Sequence, residues 1–250
     1  MVASRALATL WLLVASSGFA APDPPALSDP SAPLAPGGSV QHQAPTGRDP
    51  NTTSLFAATA LGRGNAGFGM YLGFPLLGVR AGYGILDTVD VGLELDSFYG
   101  VMNELRAFVR WQLYRGRHWT WALVADGGKA FFAQTAATEG KGARWLTGRR
   151  NWNVVPGMIA SYSSAAPLSA RLFADLRCQV AFDTEPFQSD PLGGIPPALQ
   201  VSTNLPVRFG VEAPFSSRTS FLFAFGFDLH GRVEDSKLMP MVSIGVVTAL

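Results

Sequence analysis

The stretch "SFLFAFGFDLHG", Ser220 to Gly231, places Phe221, Phe223, Phe225 and Phe227 on every second residue, with Ser220, Ala224, Gly226, Asp228 and His230 between them. Successive side chains of a strand point to opposite faces, whereas a helix would spread four alternate phenylalanines around its axis. The segment is therefore read as a strand with one apolar face and one small or polar face. Such a strand suits a soluble sheet that buries its apolar face, or a closed sheet in a membrane that turns this face to lipid.

The same alternation recurs along the chain. In "ELRAFVRWQLY", Leu105, Ala107, Val109, Trp111 and Leu113 oppose Glu104, Arg106, Phe108, Arg110 and Gln112. In "LSARLFADLRCQVAF", Leu172, Ala174, Leu176, Cys178 and Val180 oppose Arg171, Phe173, Asp175, Arg177 and Gln179. "VDVGLELD" and "LQVSTNLPVRFGVEA" behave alike. Strand spacing segregates these charges and helical spacing would scatter them. Ten strands are expected, over 66–74, 76–85, 89–98, 101–114, 118–132, 151–163, 168–182, 198–212, 217–230 and 239–250. Most have the ten or so residues that a tilted strand needs to cross a bilayer. "TSLFAATAL", Thr53 to Leu61, reads as a further short strand or a lead-in.

Ahead of the strands, "MVASRALATLWLLVASSGFA" combines Arg5, an apolar run and small residues at Gly18 and Ala20, the pattern of a cleaved secretory signal peptide over 1–20. Residues 21–62, rich in Pro, Ala, Ser and Gly and without periodicity, read as a disordered linker, and 63–250 as the barrel domain. The formal net charge of +1 gives no electrostatic case for nucleic acid, and the single cysteine, Cys178, excludes an intrachain disulfide or a cysteine-built metal site.

Three features favour the membrane. Aromatic residues gather near strand ends on the apolar face (Tyr83, Trp111, Trp119, Trp121 and Tyr162, with Trp152 at the opposite rim), as girdles do. The long connections, Gln134–Arg150, Asp183–Pro197 and Gly231–Leu238, share one side, and the short turns share the other. The last strand runs to the end of the sequence. Its "SIGVVTAL" resembles the C-terminal signal of bacterial outer-membrane β-barrel proteins, and "GYGILDTVDVGLEL" resembles their periplasmic hairpins. The resemblance implies an all-β, antiparallel up-and-down transmembrane β-barrel of about ten strands, exported to a Gram-negative outer membrane. Its implied partners are the barrel-assembly machinery and outer-membrane lipid.

Both signs of charge occupy the inward positions. Arg80, Arg106, Arg110, Arg171, Arg177 and Arg208 face Asp90, Glu94, Asp96, Glu104, Asp126, Asp175, Glu212 and Asp228. Basic side chains on the lipid face would cost ~2–4 kcal/mol each near the midplane, so these residues fix which face is inside. A selective pore would show one dominant sign. The mixed set predicts a cross-linked, occluded lumen and a structural or interaction role. Lys129 breaks the apolar face and reads as a bulge.

Alternative readings are a narrow channel for ions or small solutes, a surface hydrolase and a soluble secreted β-protein. For the hydrolase, Asp228 and His230, with Glu94 and Asp96, are similar to the catalytic groups of the omptin proteases, ten-stranded barrels that activate a water with a His and carboxylates. That reading requires all four near one point. "GRGNAG", Gly62 to Gly67, satisfies G-x-G-x-x-G but precedes a strand, so it reads as a turn and no cofactor is expected. The loop carrying Lys141, Arg144, Trp145, Arg149 and Arg150 offers guanidinium groups to lipopolysaccharide phosphates.

Overall fold

The computed structural model describes residues 53–132, 151–164, 169–184, 199–231 and 238–250. Eleven strands make up its regular structure: β1 (Ala66–Phe74), β2 (Leu77–Gly84), β3 (Val89–Phe98), β4 (Met102–Arg115), β5 (Trp119–Phe132), β6 (Asn151–Ser163), β7 (Arg171–Arg177), β8 (Gln179–Asp183), β9 (Gln200–Pro214), β10 (Thr219–His230) and β11 (Leu238–Ala249). Each pairs antiparallel with its neighbours in chain order, except that β7 and β8 both pair with β6 and β9 and not with each other, and β11 returns to pair with β1, from Gly67 opposite Ala249 to Phe74 opposite Val242.

β7 and β8 are two halves of one crossing, since Leu176 faces Val207 and Gln179 faces Asn204 in a single register. Pro206 falls opposite Arg177 in that register, and on the other side the Cys178 N–H donates to the carbonyl of Pro156 at 2.8 Å. Proline carries no N–H to return to a ladder, which accounts for the interruption at Cys178. With the halves joined, the sheet is a closed ten-stranded antiparallel barrel. The ten expected crossings agree with it to within a few residues at each end.

Parity divides the wall into two chemistries. On β10, Phe221, Phe223 and Phe225 are 55%, 44% and 51% exposed, whereas Ala224, Asp228 and His230 are 5%, 0% and 8% exposed. The outer face continues through Met70, Leu72, Leu93, Leu105, Val109, Leu123, Leu172 and Ile244, all exposed. Lys129 also lies outside, but it marks no bulge: Leu105 faces it in unbroken register, and its ammonium sits 5.5 Å from the ring centre of Trp152. The irregularity in this hairpin lies at Leu113, between Gln112 and Tyr114, close to the short-turn rim.

At that rim β2 joins β3 through 85–88, β4 joins β5 through 116–118, and β9 joins β10 through 215–218. At the other rim, β1–β2 and β3–β4 are also tight; Tyr99 (φ 46°) and Gly100 (φ 82°) take left-handed backbone in the second of these.

Thr53–Leu61 forms no strand. It lies inside the barrel, with Leu55, Phe56, Ala57, Ala58, Ala60 and Leu61 all buried. The sequence reads this stretch as a further short strand or a lead-in, inside a disordered linker over 21–62; instead Leu55, Phe56, Ala57, Ala58 and Leu61 cluster with inward Tyr71, Ala122, Val124, Ile159, Phe173, Leu222, Ala224 and Val247 in an apolar core within the barrel.

Candidate functional site

The lumen is built in levels, and the level nearest the short turns holds the Thr53–Leu61 segment. Inward Gly67 and Gly69 on β1 and Gly82 on β2 leave the space it fills. A Cβ at Gly82 would stand 2.9 Å from a Leu55 methyl, and one at Gly69 3.3 Å from both Leu55 and Phe56. Polar side chains on the other strands then hold the segment by its backbone. Glu212 accepts the N–H groups of Leu55 (3.2 Å) and Phe56 (2.9 Å), and the Ser161 hydroxyl accepts that of Ala58 at 3.3 Å. Gln112 accepts the N–H of Ala60 at 2.9 Å, and Asp90 that of Leu61 at 3.0 Å. Arg110 donates to the carbonyls of Ala57 and Ser54, both at 2.7 Å, and Arg171 to that of Thr53 at 3.2 Å. A buried backbone needs such partners, and here the wall supplies them from β3, β4, β6, β7 and β9.

The segment turns into β1 at Gly62–Asn65. Gly62 (φ 78°) and Gly64 (φ 79°) adopt left-handed backbone, and the Gly64 N–H donates to the Gly84 carbonyl at 2.8 Å. The Asn65 amide also donates to the Leu61 carbonyl at 2.8 Å. The glycine pattern noted in the sequence is thus a turn leading into a strand.

Above the segment lies a charged level. Arg106 is its hub: it contacts Asp96, and its nitrogens lie 3.6 Å from Glu94, 3.9 Å from Glu104 and 3.8 Å from Asp126. Arg177 pairs with Asp126 and, at 2.8 Å, with Asp175. Arg80 lies 3.5 Å from Glu94, and its guanidinium stacks 3.9 Å above the centre of the Phe108 ring, with Phe56 of the segment 5.5 Å away. Tyr71 joins the levels. Its ring meets Phe56 edge-on at 5.7 Å, and its hydroxyl donates to Asp96 and approaches Glu94 at 3.2 Å. Arg208 also projects inward, at the position that faces Asp175.

Toward the long-loop end the interior becomes amide-rich. The Asn153 amide donates to Glu104 at 3.0 Å, and Gln179 donates to Asn153 at 3.1 Å. His230 Nε2 lies 3.3 Å from Asp228. Glu94 and Asp96, the other half of the candidate hydrolytic set, are engaged by arginine in the level below. Met102, Ala130 and Leu76 form a small apolar cluster near that rim.

The aromatic candidates stand on the outside. Trp119 meets Tyr162 at 5.2 Å and Trp121 at 6.4 Å, with His118 stacked on Tyr162 at 5.7 Å; Tyr83 and Trp111 are exposed at the same rim and Trp152 at the opposite one. The basic loop with Lys141, Arg144, Trp145, Arg149 and Arg150 lies outside the described residues. Sequence reasoning singled out Thr53–Leu61 but did not place it in the lumen, and it missed the roles of Tyr71, Gln112 and Ser161. The available signal was the glycine-lined wall of β1 and β2 next to an uncharged apolar stretch.

Fold and interior together define a class: a closed antiparallel barrel with an apolar outer face and with charged and polar side chains directed inward. No protein-family model and no curated protein matches the chain. Among solved structures, it is similar to the N-terminal β-barrel domain of Pseudomonas aeruginosa OprF, at 14% identity and a TM-score of 0.33, over 76% of this chain and 99% of that one.

Proposed function

We propose that the protein is an outer-membrane β-barrel with an occluded, mixed-charge lumen and a structural or interaction role in the cell envelope. The observation that carries this reading is the inversion of the barrel: exposed leucines and aromatics outside, paired charges inside. A soluble barrel with such a surface would present an apolar patch far larger than the few hundred Å² that monomers tolerate. In a bilayer that surface is the solvated one, and the closed hydrogen-bonded wall leaves no edge strand in hydrocarbon. The exposed Trp and Tyr residues at the two rims fit girdles at the membrane interfaces, and the short turns then face the periplasm. Occlusion is supported by the seated segment at one level and by the arginine–carboxylate pairs at the next.

Membrane fractionation and planar-bilayer recording test this reading. The protein is expected with the outer membrane, and purified protein is expected to carry little or no steady conductance. A large conductance in the unmodified chain would favour the narrow channel, and recovery in the soluble periplasm would remove the barrel from the membrane. Peptide or lipid cleavage lost in Asp228→Asn and His230→Ala, with folding retained, would favour the hydrolase.

A further inference from the structure

Every polar contact described between the wall and Thr53–Leu61 goes to the segment's backbone. Its apolar side chains contribute by shape and ring contacts: Leu55, Phe56 and Leu61 fill the hollow above Gly67, Gly69 and Gly82, and Phe56 also meets the Tyr71 ring and the Arg80 guanidinium. Recognition of this kind reads a main chain, here bent at Leu55–Ala58, with a few apolar anchors, which is how peptide-binding sites work. The charged groups that hold the segment also have partners on the wall itself. Arg110 pairs with Asp90 at 2.6 Å, and Arg171 lies 3.7 Å from Glu212. Vacating the segment therefore strands none of these four charges without a counter-ion, and the wall is pre-organised for a backbone before one arrives. The turn at Gly62–Asn65 is anchored on Gly84 by its own hydrogen bonds, so it remains a fixed pivot whether or not the segment is seated.

We propose that the short-turn half of the lumen is a binding site for an uncharged peptide that bends at two adjacent bulky apolar residues and continues with small ones. The chain fills the site in cis with Thr53–Leu61, and a peptide of the same kind fills it in trans once that segment is displaced. The proposal rests on the reading of the chain as a closed barrel.

The test uses the full-length chain in detergent and a fluorescent peptide of sequence TSLFAATAL. Leu55→Asp with Phe56→Asp places two carboxylates in an apolar core and expels the segment. This variant is expected to bind the peptide saturably, and the natural chain, already occupied, about tenfold or more weakly. Adding Gln112→Met removes the acceptor for the Ala60 N–H without creating a charge, and should weaken binding by about tenfold, the equivalent of one hydrogen bond. No binding by a variant that keeps heat-modifiable gel mobility overturns the site, as does equal binding by all three chains.

Should the double variant not fold, Ala58→Cys in a Cys178→Ser background keeps the question open to measurement. Excess peptide is expected to speed labelling of that cysteine by an impermeant maleimide severalfold, and an unchanged rate at saturating peptide refutes exchange. Absence of heat-modifiable mobility in the natural chain counts against the barrel, not against the site.

Discussion

Two buried arginines one strand apart show how differently the same side chain can be held. Arg106 is surrounded by Glu94, Asp96, Glu104 and Asp126, so its removal leaves several carboxylates in a water-poor interior with fewer counter-charges. Breaking a buried ionic cluster in this way costs about 3–5 kcal/mol. Arg80 lies against Glu94 at 3.5 Å and otherwise packs as a flat cation on Phe108, while Glu94 retains Arg106 and the Tyr71 hydroxyl. Arg106→Met is therefore expected to lower the urea midpoint of the folded form by an amount equivalent to several kcal/mol, and Arg80→Met by well under half as much. Equal losses would mean that the charged level acts as one indivisible cluster with no hub.

At the scale of the strand, β10 offers a parity test. Phe223 is outward and Ala224 inward, adjacent in sequence and on opposite sides of a wall one residue thick. Phe223→Arg puts a cation into hydrocarbon, at about 2–4 kcal/mol near the midplane, and should reduce the folded fraction recovered in membranes. Ala224→Arg meets the buried apolar cluster and should instead disturb the seated segment, raising the labelling rate of a cysteine at Ala58 while membrane recovery is better preserved. A reversed order of membrane recovery would show that inside and outside have been exchanged.

The strands were legible because each charged inward residue fixes parity for its whole element. The expected inward charges from Arg80 to Asp228 are buried except for Arg208, which is half-buried, and Asp183, which was not among them, is buried with them. Two kinds of information were not legible. Pairwise partners such as Arg177 with Asp126 depend on shear around the barrel, which no single strand encodes. Leu222, Val124 and Ile159 are apolar on a face expected to be polar, and alternation read one strand at a time passes over them as imperfections. Their meaning appears only with the uncharged stretch from Ser54 to Leu61 beside them: an inward face that is apolar near one rim needs an apolar occupant there. Lys129 shows the opposite error, a charge taken as a bulge although it lies on the ring of Trp152 close to the long-loop rim, where a lysine can reach polar surroundings.

The whole molecule depends on one junction, the pairing of its first strand with its last. Met70 and Val246 face each other there on the outer surface, at the middle of β1 and toward the end of β11. Cross-strand neighbours at such positions have Cβ atoms about 4.5–5.5 Å apart, within reach of a disulfide after small adjustment. Met70→Cys with Val246→Cys, in a Cys178→Ser background, is therefore expected to oxidise into a cross-link joining the two ends of the sheet. Because it closes nearly the whole barrel into one loop, it restricts the unfolded ensemble strongly, on the order of 5 kcal/mol in the chain-entropy account. The oxidised variant should keep its compact gel mobility at temperatures that unfold the natural protein, and should lose that advantage on reduction. An open sheet, with β1 and β11 at separate edges, would give no intramolecular cross-link at this pair and would form disulfide-linked dimers as the concentration rises. The two products differ in mass on a non-reducing gel, so one experiment decides whether the sheet is closed.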